Sequence, residues 1–255
     1  MVFQRVNVLG VGITVLNLEL ARRALMEAVA AQSKGYVCVT GVHGVMEAQQ
    51  NPEFRTILNQ ALLCTPDGMP MVWAGRRAGF GEMDRVYGPD LMNEIFKATA
   101  ASGHTHFLYG GGDGIAAELR TALQKRYPGI RIVGVYTPPF RPLNPGEEAE
   151  LRQQVEQSKP DFFWVGLSTP KQEKFMAAYL PKLPVKIMLG VGAGFDFYAG
   201  KVKQAPRWIQ RSGFEWLFRL CMEPKRLWRR YLSNNPRFIW KRWLQVSGLA
   251  RYNLD

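Results

Sequence analysis

The chain has 255 residues, of which 47% are hydrophobic and 12% aromatic, a composition typical of globular proteins and unlike that of disordered chains. Its formal net charge of +12 at pH 7 favours an anionic partner, either a membrane surface or nucleic acid. Three scattered cysteines without metal-ligand spacing fit a reducing cytoplasm, and we expect neither a signal peptide nor a bilayer-spanning segment.

Strands and helices alternate along the first 200 residues. The predicted strands cover residues 6–13, 36–40, 61–65, 106–109, 130–136, 161–166 and 187–189. The predicted helices cover residues 18–31, 45–59 with a break at Pro52, 89–101, 115–126 and 147–158, and residues 75–79 are predicted as a basic loop. This alternation, with glycines at the strand ends, predicts an α/β fold: a Rossmann-like, mainly parallel sheet flanked by helices.

The first strand contains the stretch LGVGI, which matches part of a dinucleotide-binding fingerprint. The third glycine of that fingerprint is absent, and so is the acidic residue about 20 positions later. We therefore expect no nicotinamide cofactor.

Two polar residues follow predicted strands at positions where open α/β sheets bind ligands. Thr40 ends a strand and precedes Gly41, although a threonine in an ordinary turn is an equally good interpretation. Asp67 lies in a Pro-Asp-Gly sequence that is also a frequent turn. His43, a single histidine without a neighbouring acid, is expected to form loop or core hydrogen bonds and not to act in catalysis.

Glycines follow several later strands. Gly110 and Gly111 lie between a strand and a helix N-terminus, an arrangement suited to an anion, but no Walker sequence follows. Gly166 ends the next strand, and Gly192 belongs to the glycine series GVGAGFDFYAG after the last one. In that series, Asp196 is flanked by phenylalanines, and a structural role in fixing the loop is favoured over catalysis.

Residues 201–255 differ in composition from the rest. They contain 13 Lys and Arg against three acidic residues, and five of the seven tryptophans. Basic side chains interleaved with Trp and Leu suit an anionic membrane surface, and nucleic acid selects similar residues, so charge alone does not decide. We predict a core over residues 1–200, either one domain or two lobes divided near 100–105, and a basic helical appendage over 201–255 with helix starts at Pro206 and Pro224.

The end of the chain resembles a known family. GVGAGFDFYAG, APRW and GFEWLFRLCMEPKRLWRRYL together are similar to the signature end of the WecG/TagA/CpsF glycosyltransferases. The segment EMDRVYGPDL resembles their E-R-V-x-G-x-D-L, and GLSTPKQE resembles their G-L-G-x-P-K-Q-E, with Ser168 replacing the second glycine. The sequence TPPF at 137–140 departs from the family, which more often has a glycine and an aromatic residue there.

The resemblance implies an enzyme of bacterial cell-surface polymer synthesis. Members move a sugar from a nucleotide-sugar to a polyprenyl-diphosphate-linked acceptor at the inner face of the membrane. It implies that Asp67 is the general base, that Thr40 and Gln172 hold donor or acceptor, and that Arg85 lies in the active site. The residues alone also allow other interpretations. Gln172 is then a helix cap, and Arg85 forms a structural ion pair with Asp90 or Glu82.

The departing diphosphate must be neutralised. The chain has no Asp-x-Asp pair, and its histidines (His43, His104 and His106) make a poor metal set, so no metal cofactor is expected. Arginine suits phosphate oxygens, and EPKRLWRRY supplies Lys225, Arg226, Arg229 and Arg230 at spacings that place some on one helix face.

The sequence therefore predicts an inverting, metal-independent transferase with a UDP-sugar donor, bound peripherally to the inner face of the cytoplasmic membrane through its C-terminal segment. The substrate-binding set comprises Arg85, Gly110, Gly111, Gly166, Gly192, Lys225, Arg226, Arg229 and Arg230. The sequence does not decide whether the transferred sugar is glucose, N-acetylmannosamine or its uronic acid. It also does not decide whether the protein forms a homo-oligomer. The alternatives are a non-catalytic nucleic-acid-binding protein, although no such module is recognisable, and a nucleotide-dependent oxidoreductase or epimerase.

Overall fold

The computed structural model describes residues 2–254, in which the chain forms eight strands and twelve helices. The strands are β1 (Arg5–Val8), β2 (Val11–Thr14), β3 (Gly35–Thr40), β4 (Leu63–Pro66), β5 (Thr105–Gly110), β6 (Arg131–Tyr136), β7 (Phe162–Gly166) and β8 (Ile187–Gly190). The helices are α1 (Leu18–Ala30), α2 (Val42–Ala48), α3 (Pro52–Gln60), α4 (Met69–Arg77), α5 (Gly88–Thr99), α6 (Ile115–Arg126), α7 (Pro145–Ser158), α8 (Lys171–Tyr179), α9 (Gly194–Tyr198), α10 (Arg207–Ser212), α11 (Glu215–Met222) and α12 (Pro224–Val246).

The chain divides into two compact units that are discontinuous in sequence. The first unit contains the residues up to Leu18, Val39–Tyr87 and the residues from Gln204 onward. The second contains Glu19–Cys38 and Gly88–Lys203. The predicted division into a core over 1–200 and an appendage over 201–255 stays a prediction, and so does the lobe boundary near 100–105.

A mainly parallel sheet forms the framework, as predicted. The strand order is β4-β3-β8-β7-β5-β6, and β8, β7, β5 and β6 run parallel to their neighbours in the second unit. The strand β3 begins in the second unit and ends in the first, where β4 lies beside it. Phe163 and Trp164 on β7 are fully buried, because both faces of the strand are covered. The predicted α/β fold is therefore confirmed.

The N-terminal segment corrects one prediction. Residues 6–13 were expected to form a single strand, but β1 and β2 pair antiparallel as a hairpin. The turn between them is Leu9-Gly10, with φ of 54° and 82°, and two successive left-handed residues match the right-handed twist of the flanking strands. The first glycine of LGVGI is thus part of a hairpin turn.

Prolines and glycines mark several helix boundaries. Pro52 divides the predicted helix 45–59 into α2 and α3, and Asn51 caps α3 by accepting a hydrogen bond from the amide of Phe54 at 3.0 Å. Pro224 begins α12 as predicted, and Pro206 directly precedes α10. The basic loop predicted at 75–79 is wrong in part, because α4 continues to Arg77 and buries its apolar face.

His106 lies in the core of the second unit between two hydrogen-bonding partners. The Trp164 indole N–H donates to His106 Nδ1 at 3.1 Å, so the imidazole proton resides on Nε2, which faces the Thr99 hydroxyl at 2.9 Å. Burial lowers the pKa of His106 to about 3. This histidine is a neutral structural residue.

No helix within residues 2–254 combines the length and the apolar character needed to cross a bilayer.

Candidate active site

The predicted base lies at the carboxyl ends of two strands of the first unit. Asp67 directly follows β4, and its backbone N–H donates to the carbonyl of Thr40, the last residue of β3, at 3.0 Å. A Cβ at Gly41 would lie 2.8 Å from the Asp67 carbonyl oxygen, so glycine is required for this close approach. The Asp67 side chain is 32% exposed, which leaves the carboxylate accessible to solvent.

Thr40 is placed differently from Asp67. It is only 2% exposed, and the Cys64 thiol donates to its hydroxyl at 3.3 Å. Its backbone carbonyl accepts the hydrogen bond from the Asp67 N–H and so holds the backbone of Asp67 in place. A catalytic role for Thr40 stays a prediction.

Arg85 is the cation next to Asp67. Its Nη2 lies 3.7 Å from Asp67 Oδ1 and forms an ion pair with Glu215, while Nη1 donates to Gln210 Oε1 at 2.8 Å. The guanidinium also stacks over the Tyr87 ring, with Cζ 4.2 Å from the ring centroid, and the side chain is 9% exposed. The structure thus gives Arg85 the partners Asp67 and Glu215, and not the Asp90 or Glu82 considered from sequence.

A second arginine, the half-buried Arg219 on α11, shares this environment. Burial alone would lower its pKa, but the nearby Tyr231, Tyr87, Asp67 and Glu215 together raise it above its ordinary value. Burial, with Glu215 and Asp67, also raises the pKa of the Tyr87 hydroxyl well above its usual range. The candidate site therefore combines carboxylates, guanidiniums and neutral tyrosines.

Sequence reasoning missed Glu215, Arg219, Gln210 and Tyr87 as site residues. Glu215 and Arg219 are four positions apart on α11, and this spacing places two side chains on one helix face. That opposite-charge pair within GFEWLFRL was the feature of the sequence that could have indicated these two site residues. Nothing in the sequence indicates that it meets Arg85, 130 positions earlier than Glu215.

The four predicted phosphate-binding cations lie on α12, also in the first unit. Lys225, Arg226 and Arg229 are exposed; Arg226 pairs with Glu223 at 2.6 Å, and Arg229 stacks on Trp228. Arg230 is half-buried, and burial lowers its pKa, with Arg226 and Arg219 lowering it further. A half-buried guanidinium among like charges favours an anion.

His43 also contacts α12. The Asn234 amide donates to His43 Nδ1 at 3.1 Å, in agreement with the hydrogen-bonding role expected for this histidine.

Gln172 occupies the first turn of α8 in the second unit and is 3% exposed. Its Oε1 accepts the Gly192 backbone N–H at 2.9 Å, and its Nε2 donates to Glu173 Oε1 at 3.0 Å. The side chain therefore joins the first turn of α8 to the loop after β8, and it does not cap α8. Its predicted contact with substrate stays a prediction.

The remaining predicted glycines of the second unit have packing reasons of their own. A Cβ at Gly110 would lie 2.6 Å from the Gly166 carbonyl oxygen, and a Cβ at Gly166 would lie 2.6 Å from the Phe195 ring. Gly111 has φ of +76° and donates its N–H to the Gly166 carbonyl at 2.9 Å. These glycines bring the ends of β5 and β7 close together, and their ligand-binding role stays a prediction.

The chain is similar in sequence to several bacterial transferases. The chain is 32% identical over 209 residues to an N-acetylglucosaminyldiphosphoundecaprenol N-acetyl-beta-D-mannosaminyltransferase of Bacillus spizizenii, which covers 82% of the chain and 79% of the relative. Enzymes of the same name from Bacillus subtilis and Staphylococcus aureus are each 29% identical, over 186 and 194 residues. These matches cover 73% and 76% of the chain, and 70% and 74% of the relatives.

The sequence model of the glycosyl transferase WecG/TagA/CpsF family matches residues 6–252, which cover the second unit, nearly all of the first and all the candidate site residues. The resemblance noted in the C-terminal motifs thus extends over nearly the whole chain, and the protein belongs to the glycosyl transferase WecG/TagA/CpsF family.

Proposed function

We propose that the protein transfers an N-acetylmannosaminyl group from a UDP-sugar to an N-acetylglucosaminyl-diphosphate-polyprenol, with inversion and without a metal ion. The names of the relatives supply the transferred sugar and the acceptor of those enzymes. Of the three sugars that the sequence left open, they favour N-acetylmannosamine. Their beta product also supports inversion, because a donor whose sugar is α-linked to its diphosphate yields a β linkage in a single displacement.

Asp67 is the general base in this proposal. An acceptor hydroxyl must lose its proton as it attacks the anomeric carbon, and a carboxylate within hydrogen-bond reach can accept that proton. The observation that carries the assignment is the position of Asp67: a solvent-accessible carboxylate at the end of β4, beside the buried guanidinium of Arg85.

Cations of the first unit stabilise the departing UDP. Its diphosphate gains negative charge as the sugar leaves, and arginine binds phosphate oxygens through two parallel hydrogen bonds. Among the described residues, Arg230 has no ion-pair partner, and its like-charged neighbours favour an incoming anion. In this proposal the diphosphate is neutralised by four cationic side chains, and not by a metal ion as in other sugar transferases. These side chains are Lys225, Arg226, Arg229 and Arg230.

The C-terminal segment binds the inner face of the cytoplasmic membrane, where the polyprenyl chain of the acceptor is anchored. Its exposed aromatic side chains, such as Trp208, Trp240 and Trp243, stand among basic residues. Indole rings and cations together favour the headgroup region of an anionic membrane.

The test is the Asp67→Asn variant, assayed with UDP-N-acetylmannosamine and a lipid-linked N-acetylglucosaminyl diphosphate. Asparagine has nearly the same shape but cannot accept the proton, so kcat should fall roughly 10²- to 10⁴-fold. The affinity for UDP, measured by calorimetry, should change little, because the base does not hold the nucleotide.

Asp84→Asn is the matched control, since Asp84 is a similarly exposed carboxylate of the same unit that pairs with Arg76 at 3.4 Å. It should keep full activity. An Asp67→Asn enzyme that turns over at the wild-type rate would remove Asp67 from the role of base.

A further inference from the structure

A carboxylate next to Gln172 is buried without being assigned any role. Glu173 is 1% exposed, and its Oε1 accepts hydrogen bonds from the Gln172 amide at 3.0 Å and from the Thr169 hydroxyl at 2.8 Å. Burying a carboxylate is costly unless it is well hydrogen-bonded, and a glutamate in the first turn of a helix often stays in solvent instead. The burial of Glu173 therefore calls for a specific explanation.

The hydrogen bonds define one orientation of the Gln172 carboxamide. The Gly192 backbone N–H requires an oxygen acceptor, and it finds Gln172 Oε1 at 2.9 Å. Glu173 Oε1 accepts from the Thr169 hydroxyl, and the Gln172 atom that faces this oxygen is the amide nitrogen, which donates to it. Turning the amide by 180° would place nitrogen against N–H and oxygen against carboxylate. Only the observed orientation satisfies both neighbours.

Packing holds the same amide in place. A Cβ at Gly190 would lie 3.1 Å from both Cδ and Nε2 of Gln172, so glycine at the end of β8 leaves the space that the amide occupies. Among the described residues, the amide makes two hydrogen bonds, which leaves one N–H on Nε2 to donate. A buried donor of this kind suits an oxygen acceptor on a ligand.

We propose that Glu173 is a positioning residue: it fixes the orientation of the Gln172 carboxamide, so that the remaining Nε2 hydrogen is presented to an oxygen of the substrate, from the diphosphate or the sugar. This inference rests on the proposed function and on the contact with donor or acceptor that the family resemblance implies for Gln172. Glu173 touches no substrate itself and acts through Gln172.

The test is a double-mutant cycle on the full chain with Glu173→Met and Gln172→Met. Methionine approximates the length of both side chains but provides neither the carboxylate nor the amide. Each single variant should lower kcat/KM roughly tenfold to a hundredfold, as expected when a substrate-contacting group is misplaced or lost. In the Gln172→Met background, Glu173→Met should cost nothing more, because its effect passes through the amide.

Two further variants separate positioning from packing. Glu173→Gln retains an oxygen that accepts from Gln172 and Thr169, so its activity should stay within about threefold of wild type. Glu150→Met is the matched control, because Glu150 accepts from Gln154 at 3.1 Å on the exposed surface of α7, and it should have no effect. Additive losses in the cycle, or equal losses in Glu173→Gln and Glu173→Met, would overturn the proposal.

Hydrogen exchange of the Gly192 amide supplies a readout that is independent of turnover. The Gly192 N–H should lose protection in Glu173→Met and retain it in Glu173→Gln, and unchanged protection in Glu173→Met would contradict the inference. If Gln172→Met is fully active, the substrate contact assigned to Gln172 fails. If only Glu173→Met is fully active, the proposed function stands and Glu173 is not a positioning residue.

Discussion

Arg85 shows how much a single site residue depends on its surroundings. A guanidinium that is 9% exposed needs counter-charges, and it has Glu215 as an ion-pair partner and Asp67 at 3.7 Å. Glu215 and Gln210 come from the segment after residue 204, so Arg85 links that segment to the strand end that carries Asp67. The positive charge beside the candidate base is thus held by residues far away in sequence.

His106 is a second residue whose character the sequence did not indicate. It was considered as one of three histidines in a poor metal set, and both ring nitrogens are in fact engaged in the core by Thr99 and Trp164. Its folded-state pKa of about 3 lies below the value of about 6.5 expected in the unfolded chain. The two states therefore bind different numbers of protons between these pH values.

This difference predicts a pH-dependent stability. Between about pH 6.5 and pH 3 the unfolded chain binds a proton at His106 and the folded chain does not. The contribution of His106 to the free energy of unfolding is therefore intact above pH 6.5 and is lost as the pH falls. The contribution of His106 to the slope of the free energy of unfolding against pH approaches about 1.4 kcal/mol per pH unit. His106→Gln, which keeps a donor and an acceptor, should flatten the pH dependence of urea unfolding between pH 7 and about pH 5. An unchanged slope would show that His106 titrates normally in the folded chain.

At the scale of elements, α12 is the longest helix among the described residues, with 23 residues. Exposed apolar side chains recur along it at Trp228, Leu232, Ile239 and Trp243, at intervals of four, seven and four residues, and Trp240 lies three residues before Trp243. Such spacing places them on one side of a helix. Pro236 lies within the helix and supplies no N–H to the turn before it.

This face predicts membrane binding through α12. Trp240 and Trp243 stack on each other at 5.0 Å and are 59% and 52% exposed, so both rings are available to a lipid surface. Replacing both with Ala should weaken sedimentation with phosphatidylglycerol-containing vesicles at least about tenfold, because a buried aromatic side chain contributes about 1.5–3 kcal/mol. Phe140→Ala removes an exposed aromatic ring of the second unit and should bind like wild type. Equal binding by the double variant would exclude this face.

For the whole molecule, the first unit assembles three separate stretches of chain. Asp67 and Arg85 come from the middle stretch, and Glu215 and Arg219 from the C-terminal one. The basic, Trp-rich composition of the C-terminal stretch stood out in the sequence, but it suited membranes and nucleic acid equally. Membership in a glycosyl transferase family favours the enzyme over the non-catalytic alternative.

A ligand panel on the intact protein distinguishes the remaining alternatives. UDP and UDP-N-acetylmannosamine should raise the thermal midpoint by several degrees at saturating concentration, since a ligand at 100 times its Kd stabilises by about 2.7 kcal/mol. The shift should be unchanged by EDTA, and nicotinamide cofactors should produce none. Stabilisation by oligonucleotides alone, with a steep salt dependence, would favour the nucleic-acid-binding alternative.

The sequence by itself determined the strand–helix alternation, the parallel sheet, the break at Pro52 and the family, because hydrophobic periodicity, proline geometry and ordered motifs are local properties of the chain. It also singled out Asp67, Arg85 and Gln172, through motifs that carry a resemblance. Only the tertiary structure decided that Arg85 pairs with Glu215, that Gln172 donates a hydrogen bond to Glu173, and that Leu9-Gly10 of LGVGI forms a hairpin turn. A side chain's charge and shape can be read from one position, but its partners depend on packing between segments distant in sequence, and local patterns do not encode that packing.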